Sequence, residues 1–391
     1  ALLALQNNPD LVAARAQRGV AQAQLLSAGI LPNPSFSGSY GFLLGGPGTT
    51  GALAAGLSQD IKSLVTLSAK RGAARQSARE VDASLVWQEW QTIAKARLQA
   101  VDLIEGERQQ QLLLQNAALL QDRLERSRQA LQHGDSALAA LVPDLSAAAD
   151  ARKQLDEQQR QQETRRRDLA AFLGLSPQAS LALDENVALP PVDEAAVRAD
   201  LPGLVDRRPD LVALQLGYAA QEEKVRGAIL AQFPLLSLGV TGGHDNSDVR
   251  TLGPQITIDL PLFDRNQGNI AIERATRQQL HDEFSARLAA ADSEVRALLA
   301  DQALLRGQYD GKLAQLAELD RTAGNADTAY RAGDLDERGY VDLISARNAR
   351  QQEALTMEQS LLDQQVAIAA LSGAGMPPIS HDSGHDAETR P

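Results

Sequence analysis

Apolar and polar positions repeat along the chain with two periods, and these divide it into predicted strands and predicted helices. From Ser35, the residues Phe36, Gly38, Tyr40, Phe42 and Leu44 fall on one side of a two-residue alternation, with Ser35, Ser37, Ser39 and Gly41 on the other. Leu53, Ala55 and Leu57 alternate with Ala54, Gly56 and Ser58. Leu236, Leu238 and Val240 alternate with Ser237, Gly239 and Thr241, and Ile256, Ile258 and Leu260 with Gln255, Thr257 and Asp259. Successive strand side chains point to opposite faces, so each run predicts a strand with one apolar face and one small, hydrophilic face. Gly45-Gly46-Pro47-Gly48 and Gly243-His244-Asp245-Asn246 separate the runs and predict turns, giving two hairpins.

Elsewhere the spacing is threes and fours. Leu280, Phe284, Leu288, Ala291, Val295, Leu298, Leu305, Tyr309, Leu313 and Leu316 form a coiled-coil-like seam in a proline-free stretch from Asn266 to Arg331. As one helix at ~1.5 Å per residue, that stretch extends roughly 100 Å. Lys70 to Leu131 predicts its counterpart in the first half. Trp87 and Trp90 share a helix face and predict helix packing rather than a ligand role.

The two halves repeat each other. Pro9-Asp10-Leu11-Val12-Ala13 returns as Pro209-Asp210-Leu211-Val212-Ala213, and Ala130 to Asp135 aligns with Ala329 to Asp334. Each half reads as a helix opened by a first-turn proline and stopped before Pro32 or Pro234, then two strands, a long helix, a Gly-Asp break and another long helix. The expected organisation is a first repeat over 1–175, a linker or equatorial segment over 176–202, a second repeat over 203–372, and a disordered tail over 373–391.

Four strands cannot close a barrel, and open sheet edges are not viable in lipid, where an unpaired backbone group costs several kcal/mol. If the hairpins are membrane staves, several chains must contribute: two would give eight strands and three would give twelve, with room for a channel. Two surface hairpins on a helical protein are the other reading. No stretch has the ~18 apolar residues of a transmembrane helix, and because Ala1 opens inside a predicted helix, the natural N-terminus is expected upstream. The 391 residues include no cysteine, which excludes disulfides and thiol chemistry in the chain as given. A net charge of −12 leaves no electrostatic footprint for nucleic acid.

Several stretches resemble the TolC-like outer-membrane factors, in particular their heavy-metal, CzcC-like efflux branch. They are Ala28-Gly29-Ile30-Leu31-Pro32-Asn33-Pro34, Gly56-Leu57-Ser58-Gln59, Ala69 to Ala74, Gly253 to Asp264 with Gly268, and Ala329 to Asp334 followed by Val341-Asp342-Leu343-Ile344. The first half departs at Asp60-Ile61-Lys62, where a Pro-Leu-type exit is usual, and at Pro143 inside its tip helix. The resemblance implies a mixed α and β fold: an all-antiparallel membrane β-barrel, four strands per protomer and twelve in a homotrimer, continuous with a long α-helical barrel. It implies an outer-membrane duct, embedded in lipid and projecting into the periplasm, that docks to a periplasmic adaptor (membrane fusion) protein and an inner-membrane RND-type pump. Metal cations are the expected cargo. Drug or small-molecule efflux, a type I secretion duct, and a soluble periplasmic coiled-coil adaptor are the alternatives.

No catalytic constellation or cofactor motif stands out, so no enzyme activity, cofactor or resident metal is expected. His381 and His385 with Asp382 and Asp386 lie in the predicted tail and are not taken as a metal site. By the resemblance, Asp342 matches a carboxylate that narrows a closed pore and Tyr330 a hydroxyl that ties adjacent helix pairs. Gly134 and Gly333 are expected as periplasmic tip turns facing the adaptor, and Asp135 and Asp334 as acidic caps of the returning helices.

Overall fold

A computed structural model describes residues 1–48, 50–135, 137–176, 178–179, 181–184, 189–234, 236–373 and 376. The His381–Asp386 group and almost all of the predicted tail lie outside these residues. The helices are α1 (Leu2–Asn7), α2 (Pro9–Ala28), α3 (Ile61–His133), α4 (Leu138–Phe172), α5 (Glu194–Asp200), α6 (Leu204–Arg207), α7 (Pro209–Leu230), α8 (Gln267–Ala332) and α9 (Glu337–Leu371). The strands are β1 (Ser35–Gly41), β2 (Ala52–Asp60), β3 (Leu236–His244) and β4 (Arg250–Ile258). The same order of helix, two strands and two long helices occurs in both halves. The chain forms two compact units, each drawing on both halves.

One unit comprises Ala13–Trp87 and Val205–Ala289 and holds the sheet. Its strands are antiparallel in the order β1-β2-β3-β4, so the hairpins of the two halves pair through β2 and β3. The register sorts the side chains by face. Phe36, Leu57, Val240 and Pro254 form one cross-strand row, and Tyr40, Leu53, His244 and Arg250 another of the same parity. Ser35, Ser58, Gly239 and Gln255, then Ser37, Gly56, Thr241 and Gly253, fill the opposite face with small groups. Gly239 is required by close approach, because a Cβ there would stand 2.4 Å from the Leu57 carbonyl oxygen. The apolar face is bare: Phe36 is 74% and Leu252 81% exposed. Among the described residues β1 and β4 each pair on one side only.

Details differ from expectation. β1 ends at Gly41, leaving Phe42 and Leu44 beyond it, and β4 ends at Ile258, short of Leu260. β3 continues through Gly243 and His244, and the turn falls on Asp245–Val249, where Asp245 Oδ1 accepts from the N–H groups of Ser247 and Val249 at 2.8 and 3.0 Å. α3 begins directly at Ile61, because Asp60 Oδ1 accepts from the Lys62 N–H at 2.9 Å and starts the helix without the proline-containing exit of the second half. In the same unit, completely buried Arg208 lies 4.8 Å from the Trp87 ring and pairs with Asp210 at 2.7 Å. Burial would raise the Asp210 carboxyl, but hydrogen bonds and charge from Arg208 and Arg287 outweigh it and hold it below the ordinary aspartate range.

The other unit comprises Ala1–Val12, Gln88–Leu204 and the run from Ala290. α3 and α4 pack closely over Gly106, whose carbonyl accepts from Gln158 Nε2 at 3.0 Å. Gln162 Nε2 donates to the Leu103 carbonyl at 3.0 Å, and both glutamines are buried. Ala4, Ala96, Leu103, Leu169 and Leu173 form a core against which Leu181 and Leu183 of the linker pack. Trp90 Nε1 donates to the Ala370 carbonyl at 2.8 Å, so both tryptophans serve packing. The α8 seam departs from expectation at two points: Leu299 rather than Leu298 is the buried leucine, and Leu313 is 40% exposed.

Candidate functional site: a polar knot at the helical tip

The tip turns are built identically in the two halves. α3 and α8 both end on a glycine in the left-handed region, Gly134 at φ +80° and Gly333 at φ +82°. The Asp135 N–H then donates to the Ala130 carbonyl at 2.8 Å, and the Asp334 N–H to the Ala329 carbonyl at 2.9 Å. This closes each helix in a Schellman turn, in which an L side chain at the glycine position would be strained. The expected acidic caps are therefore corrected. Asp135 and Asp334 close the preceding helix through their backbones. The α9 N-cap is Asp336, whose Oδ1 accepts from the Gly339 N–H at 3.0 Å, and α4 has no side-chain cap.

Beside these turns an apolar floor carries the charged groups. Leu120 and Leu124 of α3, Ala148 and Ala151 of α4, and Val341 of α9 form a buried cluster with Leu141 and Tyr340 packed on it. Asp144 of α4 lies at its edge, 1% exposed. It receives Ser127 Oγ at 2.5 Å, Arg123 Nη2 at 2.7 Å and Arg338 Nη2 at 3.1 Å. Burial alone would raise the Asp144 carboxyl, but the Ser127 hydrogen bond and the two guanidinium groups prevail and hold it below the usual range. Arg338 also donates to the Ala140 carbonyl at 2.9 Å, in the stretch where Pro143 has no N–H to give the helix.

Arg123 is thereby anchored from one side and reaches Asp342 with the other. Its Nη1 lies 2.5 Å from Asp342 Oδ1, and the Asp342 side chain remains 63% exposed. Nearby, Arg126 Nη1 donates to Tyr330 Oη at 3.1 Å and pairs with Glu337 at 3.1 Å. These contacts raise the Arg126 guanidinium further, the Tyr330 hydrogen bond first. Tyr330 stacks on Tyr340, the ring centres 4.8 Å apart. Asp342 and Tyr330, singled out from the sequence, thus each tie the second hairpin to α3, through Arg123 and Arg126 one turn apart, while Gly134, Asp135, Gly333 and Asp334 form the turns beside them. Sequence reasoning missed Arg123, Arg126, Ser127, Asp144 and Arg338. The one local signal was a charged residue directly after Pro143 in the otherwise apolar run Leu138–Leu145.

What the network can do is mechanical. Arg123 and Arg126 belong to the first helical hairpin, and Tyr330, Asp342, Glu337 and Arg338 to the second. The exposed ties contribute about 0–1 kcal/mol each, so they can be exchanged for other contacts. The buried Asp144 hub is far costlier to break.

The fold thus combines a four-strand sheet with a bare apolar face and, in each half, a pair of long helices after the strands. Residues 203–374 match the family model for outer membrane efflux proteins. The pyoverdine export outer membrane protein OpmQ of Pseudomonas putida is 28% identical over 407 residues, covering 95% of this chain and 84% of its own. Among solved structures, CusC superposes with a TM-score of 0.73 at 22% identity, covering 95% of this chain and 91% of its own. The Campylobacter jejuni CmeC outer membrane channel superposes with a TM-score of 0.78 at 17% identity, covering 96% and 84%. The second half of the chain thus resembles the outer membrane efflux proteins, the fold over nearly the whole chain is that of the solved channels, and the location is the outer membrane of a Gram-negative bacterium.

Proposed function

We propose that the chain is one protomer of a homotrimeric efflux duct, whose periplasmic entrance is held closed by the Arg123–Asp342 and Arg126–Tyr330 ties. The sheet carries the oligomer reading, because its two free edges and exposed apolar face are compatible with lipid only if copies pair β4 to β1 around a ring. Three copies give twelve strands and a hydrophilic lumen lined by the small-residue face.

Asp342 carries the gate reading. It is exposed yet pinned at 2.5 Å by an arginine anchored on a buried aspartate. Three symmetry copies would make an acidic ring that attracts cations and repels anions. An adaptor docking at the Gly134 and Gly333 turns would supply competing contacts, and α8 and α9 would swing outward as the ties exchange. An inner-membrane RND-type pump completes the assembly.

The metal-cation cargo rests on the sequence resemblance to the CzcC-like branch. The pyoverdine-exporting relative favours a second reading, a small-molecule cargo. A deletion strain separates them: hypersensitivity to metal salts, restored by the native gene, supports the first, and sensitivity confined to organic compounds supports the second. The gate is tested in planar bilayers. Tyr330→Phe should raise the conductance of the resting channel, and unchanged conductance in both Tyr330→Phe and Asp342→Asn would remove the gate assignment.

A further inference from the structure

Away from the tip, and within the same unit, α3 and α9 bring four carboxyl groups together. Asp102 and Glu105 come from α3, Glu358 and Asp363 from α9. Glu105 is completely buried; one of its oxygens accepts from Arg108 at 2.9 Å, while Oε2 has no hydrogen-bond partner among the described residues. Asp363 Oδ1 is a second buried acceptor without a partner. Asp102 Oδ1 accepts from Gln359 Nε2 at 2.5 Å, and Gln359 Oε1 accepts from Gln109 Nε2 at 3.2 Å, which fixes α9 against α3 at this level.

The positive charge present only partly compensates. Arg108 lies 2.9 Å from Glu105 and 3.9 Å from Glu358. Arg165 of α4 gives a hydrogen bond to the Asp102 backbone carbonyl at 3.1 Å rather than to a carboxylate. Tyr309 of α8 approaches Glu358 and Glu105, and burial pushes its phenol up. Two donor-less carboxylate oxygens among four acids are costly while every group is ionised. A shared site of this kind holds a proton that isolated carboxylates would release. Among the described residues no three acidic or histidine side chains are arranged to hold a metal ion, so the ligand that fits is the proton itself.

We propose that this layer is a proton-binding site: Asp363 takes a proton from solvent, donates it toward an unpartnered neighbouring carboxylate oxygen, and tightens the packing of α9 on α3 in mild acid. Burial, reinforced by Asp102 and Glu105 and opposed by Arg165, pushes Asp363 up to about 6. Burial, with Glu358 adding to it and Arg108 opposing, raises Glu105 as well. A carboxyl raised above its unfolded value of 3.8 weakens the fold above about pH 6, and that loss is relieved as the pH falls from about 6 toward 3.8.

The experiment is infrared titration of the detergent-solubilised chain carrying 13C-carboxyl aspartate, with thermal midpoints measured in parallel. The native protein should show a protonated aspartate band at pH 5 that disappears around pH 6, and its thermal midpoint should rise by a few degrees between pH 7.5 and 5.5. Asp363→Asn should lack the band and have the raised, pH-independent midpoint already at pH 7.5. Glu105→Gln should move the titration to lower pH, and together with the native protein it decides the matter if Asp363→Asn does not fold. A band absent above pH 5 in the native chain, or one that persists in Asp363→Asn, would overturn the proposal. Neither readout involves conduction, so the result stands apart from that of the gate experiment.

Discussion

Asp144 shows how one residue can organise a site. It is 1% exposed and holds Ser127 and Arg123 of α3 and Arg338 of α9, so three helices meet at its carboxylate. Removing one partner of a buried ion pair leaves an uncompensated charge, so Asp144→Ala is expected to cost ~3–5 kcal/mol in the stability of the tip. Differential denaturant melts of the native and variant chains measure this, and Asp342→Asn, at the exposed end of the same network, should cost far less. The pH dependence has a definite sign. The Asp144 carboxyl is lowered below its ordinary 3.8, so its stabilisation is fully present above that value and is lost only as the pH falls through its still lower folded value. Hydrogen-exchange protection over residues 127–145, taken relative to the intrinsic exchange rate at each pH, should therefore change little between pH 7 and 5 and fall only in strong acid, opposite to the response expected at Asp363. The two tip glycines were legible in the sequence because the halves repeat around them, whereas Asp342 and Tyr330 were singled out by the family resemblance alone. Asp144 was not, because its partners Arg123 and Arg338 lie 21 and 194 positions away and share no periodicity with it. The cap was misplaced by two residues for a local reason: an aspartate after a left-handed glycine closes the old helix with its backbone, and Asp336 is free to start the new one.

At the scale of elements, the two-residue alternation identified all four strands and their faces, since a register error of one would have exchanged Phe36 and Leu57 for Ser37 and Gly56. It could not fix their ends. Phe42, Leu44 and Leu260 continue the pattern beyond the ladder, where turn geometry rather than alternation decides. The early start of α3 was hidden for a similar reason, because Asp60 supplies the first helical contact from within a strand. Pairing β2 to β3 was not readable from either hairpin alone. It depends on the absent side chain at Gly239, which lets the strands approach. Gly239→Ala should lose the heat-labile oligomer, whereas Gly253→Ala, with no neighbour within 4 Å of the added Cβ, should keep it. Electrophoresis of unheated and heated outer-membrane fractions distinguishes the two.

At the scale of the whole molecule, the proposed duct makes each chain a membrane stave that is incomplete alone. Phe36, Tyr40, Leu57, Val240, Leu252 and Ile256 are all more than half exposed on the same face, and each such side chain left in water forgoes ~1.5–3 kcal/mol of burial. In the proposed ring, lipid would satisfy the face and neighbouring copies the edges. The small-residue face, rich in serine, glycine and threonine, is then left toward the lumen. The proposed gate, adaptor contact and cargo path all presuppose this closure. Native mass spectrometry of the protein released from detergent tests it most directly. The expected result is a complex of three chains of 41.8 kDa each that dissociates on heating and requires detergent to remain dispersed. A monodisperse, detergent-independent monomer, with residues 35–60 and 236–258 protected by its own helices, would contradict it.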